Sequence, residues 1–132
     1  MIVIDTNFII HFYFPSDFSI ITEKIFLKDT NWIAPTLWRS EFKNVIAGFL
    51  RREIIDFSKA MEIIERAELK MQGFEHPSPS LLVMELAHSS KCSSYDCEFI
   101  ALAKSRALPL LTWDKEILKA FPTIAIRPDK YL

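Results

Sequence analysis

Glycine is so scarce in this sequence that the common glycine-rich phosphate-binding loops are excluded. Gly48 and Gly73 are the only glycines among the 132 residues, and they lie far apart in the chain. The G-x-x-x-x-G-K loop and the G-x-G-x-x-G turn both need several glycines within a few residues of one another. The sequence therefore lacks the usual nucleotide-binding motifs of α/β domains.

Cysteine and histidine are too few and too widely spaced to form a disulfide framework or a metal site. Cys92 and Cys97 are the only cysteines, and they do not form a C-x-x-C pair, while the three histidines are isolated from one another. The N-terminus has no basic start followed by a long apolar run, so it does not resemble a secretion signal. Two thiols without such a signal predict a reducing, cytoplasmic environment.

Long apolar runs and an excess of positive charge are also lacking. No uninterrupted apolar stretch reaches the ~18 residues expected of a membrane span. The formal net charge is −1, which is unlike that of a protein that coats nucleic acid by bulk attraction. Contact with nucleic acid therefore requires a local basic patch, or a metal ion that offsets acidic groups.

Apolar residues, in contrast, are plentiful and regularly spaced. Half of the residues are hydrophobic and 11 are phenylalanine, enough for the full core of a single domain over residues 1–132. Short apolar segments alternate with helical patterns, which predicts an α/β fold with a parallel sheet covered on both faces. The predicted strands are 2–4, 32–34, 74–76, 108–112 and 124–126. The predicted helices are 8–14, 18–27, 35–49, 58–71, 79–89, 95–106 and 115–121.

Asp5 directly follows the first predicted strand and is followed by Thr6 and Asn7. In open α/β sheets, ligands bind just beyond the carboxyl ends of the strands, so Asp5 is a candidate site residue. The structural alternative is that it only caps the next helix, which Asp, Thr and Asn all do well.

Three further acids have the same two interpretations. Asp96 lies in the first turn of a buried helix, where it can compensate the helix dipole. Asp114 follows a strand and can cap a helix. Glu41 lies on an apolar helix face, and buried glutamates are rare unless they are paired or bound to a cation. If the four acids meet at one sheet edge, their mutual repulsion selects a hard cation such as Mg²⁺ or Mn²⁺, which can activate water for attack on phosphorus.

The segments that carry these acids match a known family in order and in approximate spacing. They are Ile2-Val3-Ile4-Asp5-Thr6-Asn7, Ala34-Pro35 with Glu41 and Asn44, Ser94-Tyr95-Asp96 with Ala101 and Ala103, and Leu110-Leu111-Thr112-Trp113-Asp114. With them the chain resembles the PIN-domain ribonucleases, and among these the small VapC-like toxins of prokaryotic toxin–antitoxin pairs. No single motif is specific, but the order of the four acids with these flanks is, and it spans essentially the whole chain.

The resemblance implies a single PIN domain with a five-stranded parallel sheet sandwiched by helices. It also implies an endoribonuclease that hydrolyses phosphodiester bonds in RNA. Its acidic pocket, made of Asp5, Glu41, Asp96 and Asp114, would bind Mg²⁺ or Mn²⁺. Thr6 or Asn7, together with Thr112, are implied as hydrogen-bonding partners of these acids. The family further suggests a homodimer and an antitoxin protein that covers the active site.

Cations for RNA contact must be concentrated locally, given the net charge. The candidates beside Glu41 are Arg39, Lys43, Arg51 and Arg52, with Lys91 and Lys104 as further ones; the alternative is a solvated helix face. Glu98 is expected to be exposed on a different face from Asp96. The aromatic segment from Phe8 to Phe14 is expected to leave an exposed patch, and a homodimer is expected to use part of this segment or the neighbouring helix.

Two other functions compete with the nuclease. One is a PIN-like module that binds RNA or a partner without cleaving, whose sign would be a lost acid; none is lost here. The other is a haloacid-dehalogenase-like phosphatase with Asp5 as the nucleophile. That chemistry needs a second acid where this chain has Asn7, which argues against it.

Overall fold

A computed structural model describes all 132 residues as four strands and eight helices. The strands are β1 (Ile2–Ile4), β2 (Trp32–Ile33), β3 (Leu110–Leu111) and β4 (Ala125–Ile126). The helices are α1 (Thr6–Tyr13), α2 (Ser19–Lys28), α3 (Leu37–Arg51), α4 (Phe57–Met71), α5 (Ser80–His88), α6 (Ser94–Arg106), α7 (Lys115–Ala120) and α8 (Pro128–Tyr131). No helix combines the length and the apolar character needed to cross a membrane.

All four strands pair in parallel, in the order β2-β1-β3-β4. β1 is central, with Val3 opposite Leu110 and Ile4 opposite Leu111. Its three residues are completely buried, as expected for a parallel strand covered on both faces. This confirms the α/β fold with a helix-covered parallel sheet.

The expected fifth strand is not part of the sheet. Residues 74–76 lie beside β2, but they make only an isolated parallel bridge between Glu75 and Ala34. Ala34 donates its N–H to the carbonyl of Phe74 and accepts the N–H of His76. Pro35 follows Ala34 in one segment, and Pro77 follows His76 in the other. Because proline has no N–H to donate to the ladder, the pairing cannot continue.

The sequence also predicts helix caps at Asp17, at Asp56 or Ser58, at Ser93 and at Asp114, and most of these side chains do reach the first turn of a helix. Asp56, Ser93 and Asp114 each accept a hydrogen bond from the backbone N–H three residues later. Asp17 does not cap α2, whose N-cap is Phe18. The sequence did not predict α8 at all; it begins with Pro128 at its first position, where proline is favoured.

Helix α6 forms the centre of the core. It packs against both β1 and β3, and the residues from Phe99 to Ala103 are buried all round the helix. Asp96 lies less than one turn before this buried stretch, so the helix holds it in a fixed position relative to the sheet.

The aromatic segment of α1 packs within the chain rather than forming an exposed patch. Phe8 is fully buried and its ring lies 5.0 Å from that of Trp32, while the Phe12 ring lies 4.9 Å from the same tryptophan. Tyr13 and Phe14 are partly buried, in aromatic contacts with helix α3. The expected exposed aromatic patch is therefore wrong, because helices α2 and α3 supply enough apolar surface to cover it.

Hydrogen bonds and an ion pair between Arg39 and Glu75 hold residues 74–76 against helix α3. Glu75 accepts hydrogen bonds from Arg39 Nε at 2.6 Å, from Arg39 Nη2 at 2.8 Å and from the indole N–H of Trp38 at 2.7 Å. Arg39 also pairs with Glu68 on α4. These contacts hold the pKa of Glu75 below its usual value, and the hydrogen bonds from Arg39 have the largest effect.

We expect Glu75→Ala to destabilise the protein by about 2 kcal/mol, because it leaves the indole N–H of fully buried Trp38 without an acceptor. Urea denaturation measures the effect. Glu65→Ala, an exposed acid on the neighbouring helix α4, is the control and should be neutral. Equal stability of the two variants would show that the Glu75 contacts do not fasten this segment.

Candidate active site

Asp5 stands at the carboxyl end of the central strand, where it caps a helix and also lines a cavity. Its Oδ1 accepts the backbone N–H of Phe8 at 2.9 Å, which caps helix α1. Its Oδ2 accepts the hydroxyl proton of Thr112. The residue is only 9% exposed, so the cap is also one wall of a pocket.

Asp114 reaches the same sheet edge because β3 pairs in parallel with β1. With Ile4 opposite Leu111, the residues that follow the two strands are neighbours. The hydroxyl of buried Thr112 donates to Asp5 and accepts the backbone N–H of Asp114 at 3.0 Å. Asp114 in turn caps α7 by accepting the N–H of Ile117 at 3.0 Å. Thr112 therefore links the two acids through a single hydroxyl.

Glu41 and Asp96 enter the same pocket from two helices. Glu41 Oε1 accepts the hydroxyl proton of Thr6 at 2.7 Å, which ties helix α3 to the start of α1. Asp96 lies in the first turn of α6, whose N-cap Ser93 accepts the Asp96 backbone N–H at 3.1 Å. Both acids are half-buried.

The four predicted acids line one open cavity of about 210 Å³. The wall contains no lysine or arginine. The other lining residues are Thr6, Asn7, Asn44, Val45, Phe99 and Ile117.

Burial and mutual repulsion both act on the protonation of these acids. Burial raises the pKa of Asp5 to about 6, against the opposing effect of the Thr112 and Phe8 hydrogen bonds, and the charges of Asp114 and Glu41 add to the rise. Burial also raises the pKa of Glu41, with Asp96 and Glu98 adding to it. The pKa of Asp96 is raised by burial and by the charge of Asp114. No cation contributes to the shift of any of these three, so the fold itself does not neutralise the pocket.

The donor set of the pocket suits a hard divalent cation, because carboxylate and amide oxygens are the ligands that Mg²⁺ and Mn²⁺ prefer. No group of three acid, histidine or cysteine side chains is arranged to hold an ion by itself, however. Both oxygens of Asp5 are already hydrogen-bond acceptors within the chain. The residues therefore fit an ion that keeps several of its water ligands, as Mg²⁺ usually does.

The predicted cations lie outside this pocket. Arg39 is engaged with Glu75 and Glu68, and Lys43 is exposed on α3 without lining the cavity. Arg51 and Arg52 are exposed at the far end of α3. The structure thus brings the four acids together but none of the four candidate RNA-binding residues.

No role was assigned to Asn44 from the sequence, and Glu98 was assigned the wrong exposure; both residues lie near the pocket. Asn44 lines the pocket, and its spacing of three from Glu41 on helix α3 was the signal for this, since such residues share a helix face. Glu98 was expected to be exposed, yet it is half-buried and its charge raises the pKa of Glu41. Its position depends on how α6 lies against α3 and α5, which helix periodicity alone does not give.

Comparison with known proteins agrees with this architecture. Residues 2–122 match the PIN domain family, and the chain belongs to that family. No curated protein matches the sequence. Among solved structures, the chain is similar to the crystal structure of FitAcB from Neisseria gonorrhoeae, with 18% sequence identity and a TM-score of 0.75, over 97% of this chain and 98% of that one. At that identity, the likeness shows a shared fold.

We expect Asp5→Asn to raise the melting temperature of the metal-free protein at pH 7. The pKa of Asp5 is about 6 in the folded protein against an ordinary value of 3.8, so the folded state binds this proton more tightly than the unfolded chain does. The free energy of unfolding contributed by Asp5 therefore falls as pH rises from about 4 to 6 and stays low above it. A shift of about two units corresponds to at most about 3 kcal/mol.

Thermal melts in EDTA between pH 4 and 7 measure this difference, which should shrink as the pH falls. Asp17→Asn, an exposed acid outside the pocket, is the control and should melt like the wild type at every pH. An Asp5→Asn variant that is less stable than the wild type at pH 7 contradicts the idea that the four acids repel one another in one site.

Proposed function

We propose that this PIN-domain protein is a metal-dependent endoribonuclease that hydrolyses phosphodiester bonds in RNA. The observation that carries the proposal is the convergence of Asp5, Glu41, Asp96 and Asp114 on one cavity that no cationic side chain lines. Asp5 is buried and Glu41 and Asp96 are half-buried, and buried acids without a cationic partner are costly. Their retention at the ligand-binding edge of a parallel sheet is best explained by a bound cation.

Mg²⁺ or Mn²⁺, bound at these carboxylates while keeping several of its water ligands, would supply activation of water and stabilisation of the leaving oxygen. The chain's own residues position the acids. Thr112 fixes the orientation of the Asp5 carboxylate, and Thr6 fixes that of Glu41. Asn7 and Asn44 present exposed amides at the rim, where they can hydrogen-bond to the phosphate and sugar groups of a strand.

The resemblance to VapC-like toxins supports a more specific biological role. We propose that the chain is the toxin of a toxin–antitoxin pair, inhibited by an antitoxin protein that covers the acidic pocket. Arg51, Arg52 and Lys43 remain candidates for RNA contact because they are exposed and free of ion pairs. Arg39 is the weakest candidate, since its guanidinium already binds two glutamates.

A PIN-like module that binds without cleaving is the alternative function. Nothing in the pocket favours it, since all four acids are present and face one cavity. Membership of the PIN domain family removes the phosphatase alternative.

Asp96→Asn should reduce RNA cleavage at least about 100-fold, because removing even an indirect partner of a metal ligand typically costs 10–100-fold. The assay uses mixed RNA with Mg²⁺ or Mn²⁺, and EDTA should abolish cleavage by the wild type. Thermal melts show whether the variant is folded, and the stabilisation of the protein by Mn²⁺ should shrink in it. Glu85→Gln, an exposed acid on α5, is the control. A folded Asp96→Asn variant with wild-type activity would refute this site.

We also propose a homodimer, now through helices α5 and α6 rather than the aromatic segment of α1. Leu81, Met84 and Tyr95 are 74%, 60% and 61% exposed, and Met84 and Tyr95 line the same groove. Apolar groups exposed together often mark an interface.

Leu81→Asp combined with Met84→Asp should convert the dimer to a monomer, because two desolvated carboxylates would face apolar surface. Size-exclusion chromatography with light scattering at tens of micromolar, about the range of weak association constants, measures the mass. Leu27→Asp, which changes an apolar residue that is 85% exposed on α2, is the control. A monomeric wild type would contradict the proposal.

A further inference from the structure

A second cavity adjoins the acidic pocket and has the opposite charge. We call it the lysine cavity; its walls are residues 89–92, which connect α5 to α6, and residues Glu116, Lys119, Ala120 and Phe121 in and after α7. Its volume of about 640 Å³ lies within the range of about 300–1,000 Å³ that is usual for small-molecule sites.

The two segments that form the walls of the lysine cavity lie next in the chain to the residues that carry two of the acids. One wall leads directly into Ser93, the N-cap of the helix that carries Asp96. The other wall is helix α7, which Asp114 caps. The charge of Glu116 contributes to the raised pKa of Asp96, so the two cavities are close neighbours. Cys92 and Glu116 in the walls of the lysine cavity lie only four and two residues along the chain from Asp96 and Asp114, so one strand can contact both sites.

The two lysines of this cavity have no partner in the chain. Neither Lys91 nor Lys119 takes part in an ion pair, and both are exposed. Glu116 is the only carboxylate in the wall, so the cavity carries a surplus of positive charge. The cavity beside α4, in contrast, contains Arg39, whose charge is already paired.

We propose that the lysine cavity binds the next nucleotide of the substrate strand, beyond the two that the cleaved phosphodiester bond joins. Lys91 and Lys119 would bind its phosphate, and its base would pack against the ring of Phe121. Lysines bind phosphate as point charges, and a half-buried phenylalanine ring is a surface on which any base can stack. The inference rests on the proposed ribonuclease activity and adds a binding site for the flanking part of the same substrate.

The main experiment compares Lys91→Gln/Lys119→Gln with a charge-matched control, Lys24→Gln/Lys130→Gln. The control removes two exposed lysines on α2 and α8, away from both cavities. For each protein, kcat/KM is measured on a dinucleotide and on a longer single strand of mixed sequence. The dinucleotide offers only the cleaved bond, so it does not test the flanking site.

The wild type and the control should cleave the longer strand much more efficiently than the dinucleotide. In the Lys91→Gln/Lys119→Gln protein, which we call the lysine cavity variant, the ratio of kcat/KM on the longer strand to kcat/KM on the dinucleotide should fall about tenfold. Its kcat/KM on the dinucleotide should stay within about twofold of the wild type. An unchanged ratio in the variant, or an equal fall in the control, would overturn the proposal. The second result would mean that only the overall charge matters.

Ala120→Phe separates binding in the cavity from electrostatic attraction towards it. Ala120 is exposed in the cavity wall, so a larger side chain fills the cavity without removing a charge. The ratio of kcat/KM on the longer strand to kcat/KM on the dinucleotide should fall in this variant as well. A variant that keeps the wild-type ratio would show that no nucleotide occupies the cavity.

Binding in EDTA tests the site without cleavage. Fluorescence anisotropy with a labelled single strand of mixed sequence should show weaker binding by the lysine cavity variant. The slope of log K against log salt should fall by about 0.7, the contribution of one phosphate contact with a single strand. If the wild type binds in this way but does not cleave, the flanking site stands and the ribonuclease proposal fails. An unchanged slope would overturn the flanking site even when cleavage is normal.

Discussion

The parallel pairing of β1 with β3 is the constraint on which the rest of the site depends. The register that places Ile4 opposite Leu111 puts Asp5 and Thr112 side by side at one sheet edge. Thr112 then contacts Asp5 and Asp114 through one hydroxyl. A slip of one residue would turn every side chain of the strand to the other face of the sheet and separate the two acids.

The pocket combines strong positioning with unfavourable electrostatics. Hydrogen bonds from Thr112, Thr6 and the backbone of Phe8 fix the carboxylates and oppose the rise in their pKa. Burial nevertheless outweighs these bonds at Asp5. Near neutral pH the folded state thus holds charges that the surrounding core does not stabilise, and protonation or a cation from solution can relieve the repulsion. Stability given up at a functional site in this way is common in natural proteins.

Local chemistry made much of this structure predictable from the sequence. The caps at Asp56, Ser93 and Asp114 fixed helix starts because their bonds span only three residues. The acids after β1 and β3 were found because parallel strands end at one edge. Features that depend on distant contacts were missed: the prolines that end the pairing of residues 74–76, and the pairing of Arg39 with Glu75, 36 residues away. The partial burial of Glu98 also depends on how helices pack.

The separation of positive and negative charge is what the proposed metal-dependent cleavage of RNA would require. A lysine or arginine in the pocket wall would pair with the carboxylates, lower their pKa and compete with a metal ion for the same oxygens. Cations that attract an RNA strand would therefore have to stay outside contact distance of the acids, yet near enough to act on the same strand. The unpaired lysines at residues 91 and 119 meet both conditions, since they lie on the segments that carry Asp96 and Asp114 but line a different cavity. Because exposed charges are screened beyond about 8 Å at physiological salt, such a local arrangement can coexist with a net charge of −1.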